Sequence, residues 1–260
     1  YNSFQKWKTY ISNNYSLKEF GILRFKKALW NSLNNSTVRL AQELWLGNVY
    51  DFYKKYNFQL NKSPEYYGYS LVLWNPSIQL KDLVHSYAEL LDLKDKNKFL
   101  LYDILSDPDN RDLSFGVNSI LNTSIPQAVK TWTSSDFRDN LIVSYHPDLV
   151  LWIWIGNNDN SSMIWVTGIT GAWYLWHHVI EKAIALWYIT DVDIQIPPEI
   201  IESEYCLDEK CFQKELIFKD TNKEYFSHIS DNIYSSKDVY WNLSNDEVNR
   251  LKDFQIYLDK

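Results

Sequence analysis

Glycine is scarce in this sequence, at 7 of 260 residues. An average composition of about 7% glycine would give about 18 in a chain of this length. Tryptophan, which is normally rare, occurs 12 times, so that the two residue types together number 19. The deficit of glycine is therefore matched by the excess of tryptophan.

Long apolar runs are also missing. None is longer than seven residues, the length of Leu149 to Ile155, which is far fewer than the roughly 20 that a membrane-spanning helix needs. No signal-peptide pattern is visible either. We interpret the run as a buried strand, apolar on both faces as in a central strand covered by helices on both sides.

Basic residues do not dominate, since the net charge is −7 and the pI is near 5.3. A nucleic-acid-binding surface is therefore not expected. From Glu199 onward there are 14 Asp and Glu against 8 Lys and Arg. Pro197-Pro198 marks the start of this region, and we predict an acidic C-terminal extension over residues 196–260. A final helix is predicted near the end of the chain, with Ser244 as its N-terminal cap.

Cysteine is limited to Cys206 and Cys211. The sequence leaves three interpretations open: two unpaired thiols, a small disulfide loop formed in an oxidising compartment, or part of a metal site, although two ligands fall short of the usual four. The adjacent His177 and His178 lack the spacing of a zinc protease. We therefore predict no metal and no cofactor.

Helical and strand periods occupy different halves of the chain. Apolar spacing predicts a helix in two pieces over 25–44, broken by a polar turn at 31–36, and a further helix at 49–56. Another helix is predicted to start after Ser77, a plausible N-cap, and to run to Leu91. Asp103 to Thr123 is predicted to be mostly loop. Strands follow at 128–134, 140–145 and 149–156, and their close spacing predicts an antiparallel meander. A last helix packing on this sheet is marked by five apolar residues: Trp176, Ile180, Ala183, Ile184 and Trp187.

The first predicted strand contains Lys130-Thr131-Trp132-Thr133. With glycine in place of Trp132 this would be Lys-Thr-Gly-Thr, and Lys-Thr-Gly is one signature of serine enzymes that bind penicillin. A substrate peptide can lie beside such a strand as an added strand, and glycine suits a place where a second backbone approaches closely. Trp132 is therefore the most unexpected residue of the chain.

Five ordered blocks extend this pattern over roughly residues 10–188, and together they resemble the transpeptidase domain of class A penicillin-binding proteins. The blocks are Ala28 to Asn34, Lys62 to Gly68, Ile104 to Pro108 with Phe115-Gly116, Ala128 to Asn140, and Gly156 to Asp159 with Val166 to Ala172.

The resemblance implies an α+β fold, an antiparallel sheet flanked by helices as in serine β-lactamases and penicillin-binding transpeptidases, here N-terminally incomplete. Residues 1–195 would be the C-terminal portion of the transpeptidase domain. The implied activity is peptidoglycan DD-transpeptidation at the extracytoplasmic face of the membrane, with β-lactams and stem peptides ending in D-Ala-D-Ala as ligands. The family's glycosyltransferase domain and membrane anchor would precede this chain.

The resemblance also assigns catalytic roles to three residues. Ser32 would pass a proton between the nucleophile and the leaving amine, and Asn34 would hydrogen-bond the substrate backbone. Both residue types also commonly cap helices. Lys130 would supply positive potential and support the proton path through Ser32.

Substrate-binding roles fall on Thr131, Trp132, Thr133 and Ser134. The two threonine hydroxyls would hold the terminal carboxylate of the substrate. The backbone N–H of Thr133 would form half of an oxyanion hole. A literal Trp132 would place its indole where the substrate strand must lie, so the protein as written is expected to bind β-lactams poorly or not at all.

Tryptophan replaces glycine at several positions of the family pattern: 30, 45, 74, 132, 152, 165 and 173. Trp154 and Trp176 resemble aromatic residues of the family, and Trp7, Trp187 and Trp241 have no assigned counterpart in the pattern. We hypothesise that the gene reads UGA as glycine and that the printed sequence translates it as tryptophan. The alternative is true divergence to an inactive relative.

The family nucleophile, in Ser-x-x-Lys, lies several tens of residues before the motif of Ser32. Ser3-Phe4-Gln5-Lys6 fits the letters but lies too near, so we expect the nucleophile upstream of this chain and the fragment alone to be inactive. The alternatives are a non-catalytic peptidoglycan-recognition module on the same fold and, given 43 aromatic residues, a sugar-binding module.

Overall fold

The protein is described here from a computed structural model, and the description covers residues 14, 25–73, 78–116, 118–134, 137–163, 171–207 and 210–219. These residues belong to two compact units, one with residues 25–91 and 101–193 and one with residues 92–100 and 194–219. In the described ranges, every helix is too short or too polar to cross a membrane. The helix predicted near Ser244 lies outside the described residues.

Five short helices open the larger unit, with bounds α1 Phe25–Trp30, α2 Asn34–Leu44, α3 Leu46–Lys55, α4 Pro64–Tyr67 and α5 Leu80–Ala88. The predicted two-piece helix is confirmed, but its break is shorter than the predicted turn at 31–36, because only residues 31–33 separate α1 from α2, which begins at Asn34. The apolar faces of α2, α3 and α4 meet a 3₁₀ segment in a small core of Ala41, Val49, Tyr50, Tyr67 and Leu71.

Helix α6, Lys96–Ser106, was not predicted, and the loop expected from Asp103 is partly wrong. The carboxylate of Asp95 accepts the N–H groups of Asn97 and Lys98, at 2.8 and 3.1 Å. An aspartate in this position satisfies the free donors of a first helical turn. A 3₁₀ turn, Pro108–Arg111, and the short helix α7, Asp112–Phe115, follow.

The three predicted strands form the expected antiparallel meander: β1 Ala128–Thr133, β2 Asp139–His146 and β3 Leu149–Gly156. Within the described residues β1 is an edge strand, because the order of the sheet is β1-β2-β3. Side chains alternate between the two faces of a strand. Lys130 and Trp132 therefore share one face, and Val129, Thr131 and Thr133 share the other.

Helix α8, Ala172–Ala185, covers the second of these faces. Its Trp176 is fully buried, and the indole N–H donates a 2.7 Å hydrogen bond to Ser144 Oγ on β2. Around it lies the main core, which combines side chains of the sheet with those of α8: Val129, Ile142, Leu151, Ile153, Ala172, Ile180 and Ala183.

The end of α8 differs from the prediction, which extended this helix to Trp187. The helix stops at Ala185, and Trp187 takes a left-handed conformation with φ 63°. Its N–H bonds to the carbonyl of Ile184, and the Tyr188 N–H bonds to that of Ala183. This pair of bonds is the Schellman motif, which ends a helix with a left-handed residue that is usually glycine.

The smaller unit contains an unpredicted hairpin of β4, Ile200–Leu207, and β5, Lys210–Phe218. Cys206 and Cys211 are register partners across its two strands. The close spacing of the two cysteines in the sequence is therefore that of facing positions in a hairpin.

Candidate active site

The backbone at Ser32 is held in a left-handed conformation, with φ 55°. The Ser32 N–H bonds to the carbonyl of Leu29, and the Leu33 N–H bonds to that of Ala28, so α1 ends in a tight turn with Ser32 at its left-handed position. A non-glycine residue rarely adopts this conformation, and such strain is concentrated at functional sites. The turn places Ser32 between two helices instead of inside one.

Asn31 anchors this turn from the buried side. Its Oδ1 accepts the N–H of Ser114 at 2.8 Å, and its Nδ2 donates to the carbonyl of Lys27 at 2.9 Å. The Ser114 hydroxyl also donates to the Asn31 carbonyl at 3.0 Å. These bonds couple a residue 83 positions away to the turn and fix where Ser32 points.

Lys130 meets Ser32 across 98 positions of sequence. The Lys130 Nζ donates a hydrogen bond of 2.6 Å to Ser32 Oγ and another of 3.1 Å to the carbonyl of Thr131. Burial disfavours the charged ammonium and lowers the pKa of Lys130 from 10.5 to about 8. An amine with that pKa, bonded to a hydroxyl, can exchange a proton with it near neutral pH.

A cavity of 420 Å³ opens beside this pair, and Ser32, Asn34, Lys130, Thr131 and Trp132 all line it. The structure thus brings the three predicted catalytic residues to one site. The rest of the wall is mostly apolar and aromatic, with contributions from the helices and the sheet that include Tyr53, Tyr56, Phe58, Leu83, Val143 and Trp152.

Trp132 stands two residues beyond Lys130 on the same face of β1, so its indole lines the cavity next to the Lys130–Ser32 pair. Trp152 also lines the cavity, from β3. Two of the tryptophans at predicted glycine positions therefore reduce the volume of the same cavity.

Thr133 and Ser134 form hydrogen bonds with Asn140 and Asp139, which do not line the cavity. Thr133 Oγ1 accepts a 3.2 Å hydrogen bond from Asn140 Nδ2. The Ser134 hydroxyl accepts the Asp139 N–H at 2.7 Å, and the Ser134 N–H donates to the Asp139 carbonyl at 2.9 Å. Ser134 thus closes the turn between β1 and β2, and the substrate-binding roles of both residues stay predictions.

Two residues that support the site, Asn31 and Asn140, carried no assigned role in the sequence. Asn31 could have been noticed as the neighbour of Ser32, but its partner Ser114 lies far along the chain. Asn140 contacts Ala172, 32 positions later. Both roles come from contacts between elements that no local pattern links.

Sequence comparisons return nothing, since no known family profile matches the chain and no curated protein matches it. Among solved structures, the crystal structure of penicillin-binding protein 1A from Haemophilus influenzae is similar, with a TM-score of 0.68 and 15% identity over 85% of this chain. The chain spans 44% of the length of that protein. The predicted α+β fold of the penicillin-binding transpeptidase type is thereby confirmed, and at this identity the similarity concerns the fold alone.

Proposed function

We propose that residues 1–195 are the C-terminal portion of the transpeptidase domain of a peptidoglycan DD-transpeptidase that is acylated by β-lactams. The observation that carries the proposal is the 2.6 Å bond between Lys130 Nζ and Ser32 Oγ inside a cavity that Asn34 also lines. The similarity of fold to a penicillin-binding protein supports the same reading. By its motifs the chain is most like penicillin-binding protein 1C.

In this proposal a serine upstream of the chain attacks the carbonyl of the penultimate D-alanine, and D-alanine leaves with a proton passed through Ser32. An amine of a second stem peptide then takes the acyl group and forms the cross-link. Covalent catalysis of this kind needs an activated hydroxyl and a proton relay. The strain at Ser32 and its bond to Lys130 suit that relay.

The edge of β1 is the proposed docking place for the substrate peptide, which would pair with it as a further strand. Because Lys130 and the two threonines lie on opposite faces of β1, the terminal carboxylate would lie at the open edge of this strand. There Lys130 would attract it, and Thr131 and Thr133 would bind it. This placement requires little side-chain volume at residue 132. We therefore propose that residue 132 is glycine in the protein made by its own cells. We also propose that the full-length protein, of which this chain is a part, acts outside the membrane that anchors it.

The affinity for a terminal carboxylate is expected to fall as pH rises above 8. Burial lowers the pKa of Lys130 to about 8 in the protein that carries Trp132. Removal of the indole reduces this burial, so in the Trp132→Gly chain the positive charge is lost at or above pH 8 and still below the range of an ordinary lysine. We would titrate an acyl-D-Ala-D-Ala peptide into the Trp132→Gly chain between pH 6 and pH 10 by calorimetry.

The C-terminal carboxamide of the same peptide is the control, and its affinity should not change over this range. In a Lys130→Arg variant the carboxylate affinity should persist to pH 10, since a guanidinium stays charged. A carboxylate affinity that does not change between pH 7 and pH 10 would contradict the proposed role of Lys130. No carboxylate binding at any pH would contradict the proposed function.

A further inference from the structure

Asn140 is fully buried, at 0% exposure, between the end of β1 and the start of α8. Its Oδ1 accepts the backbone N–H of Ala172, the first residue of α8, at 2.8 Å. Its Nδ2 lies 3.2 Å from Thr133 Oγ1. One amide thus joins a predicted carboxylate-binding hydroxyl to the first turn of a helix.

The backbone partner fixes the orientation of this amide. The N–H of Ala172 can only donate, so the atom that faces it must be the amide oxygen of Asn140. The amide nitrogen then faces Thr133 and can only donate to it. Thr133 Oγ1 is therefore an acceptor in this bond, and its own hydrogen remains available to another acceptor.

We infer that Asn140 is a positioning residue that polarises Thr133, so that the Thr133 hydroxyl is presented as a hydrogen-bond donor to the terminal carboxylate of the substrate. The inference rests on the proposed function. If residue 140 offered Thr133 an acceptor, the Thr133 hydroxyl would donate its hydrogen to that buried acceptor and not to the substrate carboxylate. Because Asn140 donates, this competition is removed and the Thr133 hydroxyl can donate its hydrogen to an anion.

The test is the ratio of affinities for an acyl-D-Ala-D-Ala peptide and for its C-terminal carboxamide, measured in the Trp132→Gly chain. Asn140→Asp keeps an acceptor for Ala172 but turns the donor toward Thr133 into an acceptor, which captures the hydroxyl hydrogen. The ratio should fall about tenfold, as it should in Thr133→Val, because a hydrogen bond to a charged group is lost in both.

The double variant separates this mechanism from simple charge repulsion by the new carboxylate. If Asn140 acts through Thr133, Asn140→Asp combined with Thr133→Val should show no further loss of the ratio. If the losses of the ratio in the two single variants add up in the double variant, the inference is overturned. It is also overturned if Asn140→Asp weakens the binding of both peptides equally, which is what a purely structural role predicts.

Asn140→Ala provides a second test if Asn140→Asp does not fold. Without the amide, nothing orients the Thr133 hydroxyl as a donor. The ratio of carboxylate to carboxamide affinity should therefore fall, but by a smaller factor than in Asn140→Asp. A ratio equal to that of the Trp132→Gly chain would overturn the inference. If the Trp132→Gly chain itself binds both peptides equally, the proposed function fails and this inference fails with it.

A separate observation concerns two exposed tryptophans, Trp45 and Trp187, which have the largest exposed fractions of the tryptophans that the structure describes. Trp45 has φ 66° and is 75% exposed, and Trp187 has φ 63° and is 83% exposed. Bulky side chains are outliers at positive φ, where glycine is the default residue. Neither indole gains the burial that could offset this strain.

Two other tryptophans have contacts that only an indole provides. Trp176 donates to Ser144 Oγ from a fully buried position, and Trp154 Nε1 donates to Asp139 Oδ1 at 2.9 Å. The buried Nε1 atoms of Trp30 and Trp173, in contrast, have no hydrogen-bond partner among the described residues. Trp30 nevertheless packs beneath the Arg111 guanidinium at 4.0 Å, so its contacts decide neither for glycine nor for tryptophan.

From these backbone conformations and indole contacts we infer that residues 45 and 187 are glycine in the natural protein, encoded by UGA, whereas residues 154 and 176 are true tryptophans. Tandem mass spectrometry of the protein from its native cells tests this, with residue 45 read in the tryptic peptide 40–54. Glycine at 45 and 187 with tryptophan at 154 and 176 is expected. Tryptophan at 45 or 187, or glycine at all four positions, would overturn the inference.

Discussion

Trp132→Gly is expected to raise the rate at which a fluorescent penicillin labels the full-length gene product by about a hundredfold. The indole lines the cavity beside Lys130 and Ser32, where the substrate strand is proposed to lie. Excess side-chain volume costs about 1–3 kcal/mol in a packed site, and 1.4 kcal/mol corresponds to a factor of ten. The labelling rate under single-turnover conditions is the measurement.

Trp154→Gly is the matched control for this variant. Trp154 belongs to the same sheet, but its indole bonds to Asp139 and does not line the cavity. We expect lower thermal stability and no faster labelling. Rapid labelling of the protein that keeps Trp132 would refute the claim that this side chain obstructs the cleft.

Lys130→Met, in the Trp132→Gly background, is expected to reduce that labelling at least about a hundredfold. The variant removes both the buried positive charge and the proton partner of Ser32, and a positioned proton-transfer group contributes about 10²–10⁴ to a rate. Ser32→Ala should produce a loss of similar size, because the two residues act in one relay and their effects are not additive.

Lys81→Met controls for the loss of one positive charge, since Lys81 is exposed on α5. It should label at the parent rate. A Lys130→Met protein that folds and labels as fast as its parent would remove Lys130 from the mechanism. Unchanged thermal unfolding in Lys130→Met would show that its loss of labelling is not a loss of structure.

The three-stranded sheet could be predicted from the sequence because strand periodicity and the Lys-Thr-x-Thr motif coincide in β1. The close spacing of the three strand segments predicted the antiparallel meander. The apolar run of β3 was interpreted as a central strand, but among the described residues β2 is central and β3 lies at an edge. The contact with Ser32 followed from the family motifs, not from periodicity, which carries no information about partners 98 positions apart.

The sequence failed where local signals were weak or misleading. Helix α6 begins at an aspartate cap in a charged segment, and the hairpin β4–β5 lies in a region interpreted only by its charge. Helix α8 was extended to Trp187 because an apolar residue there fitted the helical period. The Schellman motif ends the helix two residues earlier, as a glycine at 187 would have indicated.

The most direct test of the central claim is the intact mass of the full-length product after reaction with penicillin, in the Trp132→Gly form with and without Lys130→Met. An acyl adduct on a single serine, lost when Lys130 is replaced, is the predicted result. No adduct in the Trp132→Gly form, or an adduct that forms equally well without Lys130, would contradict the account.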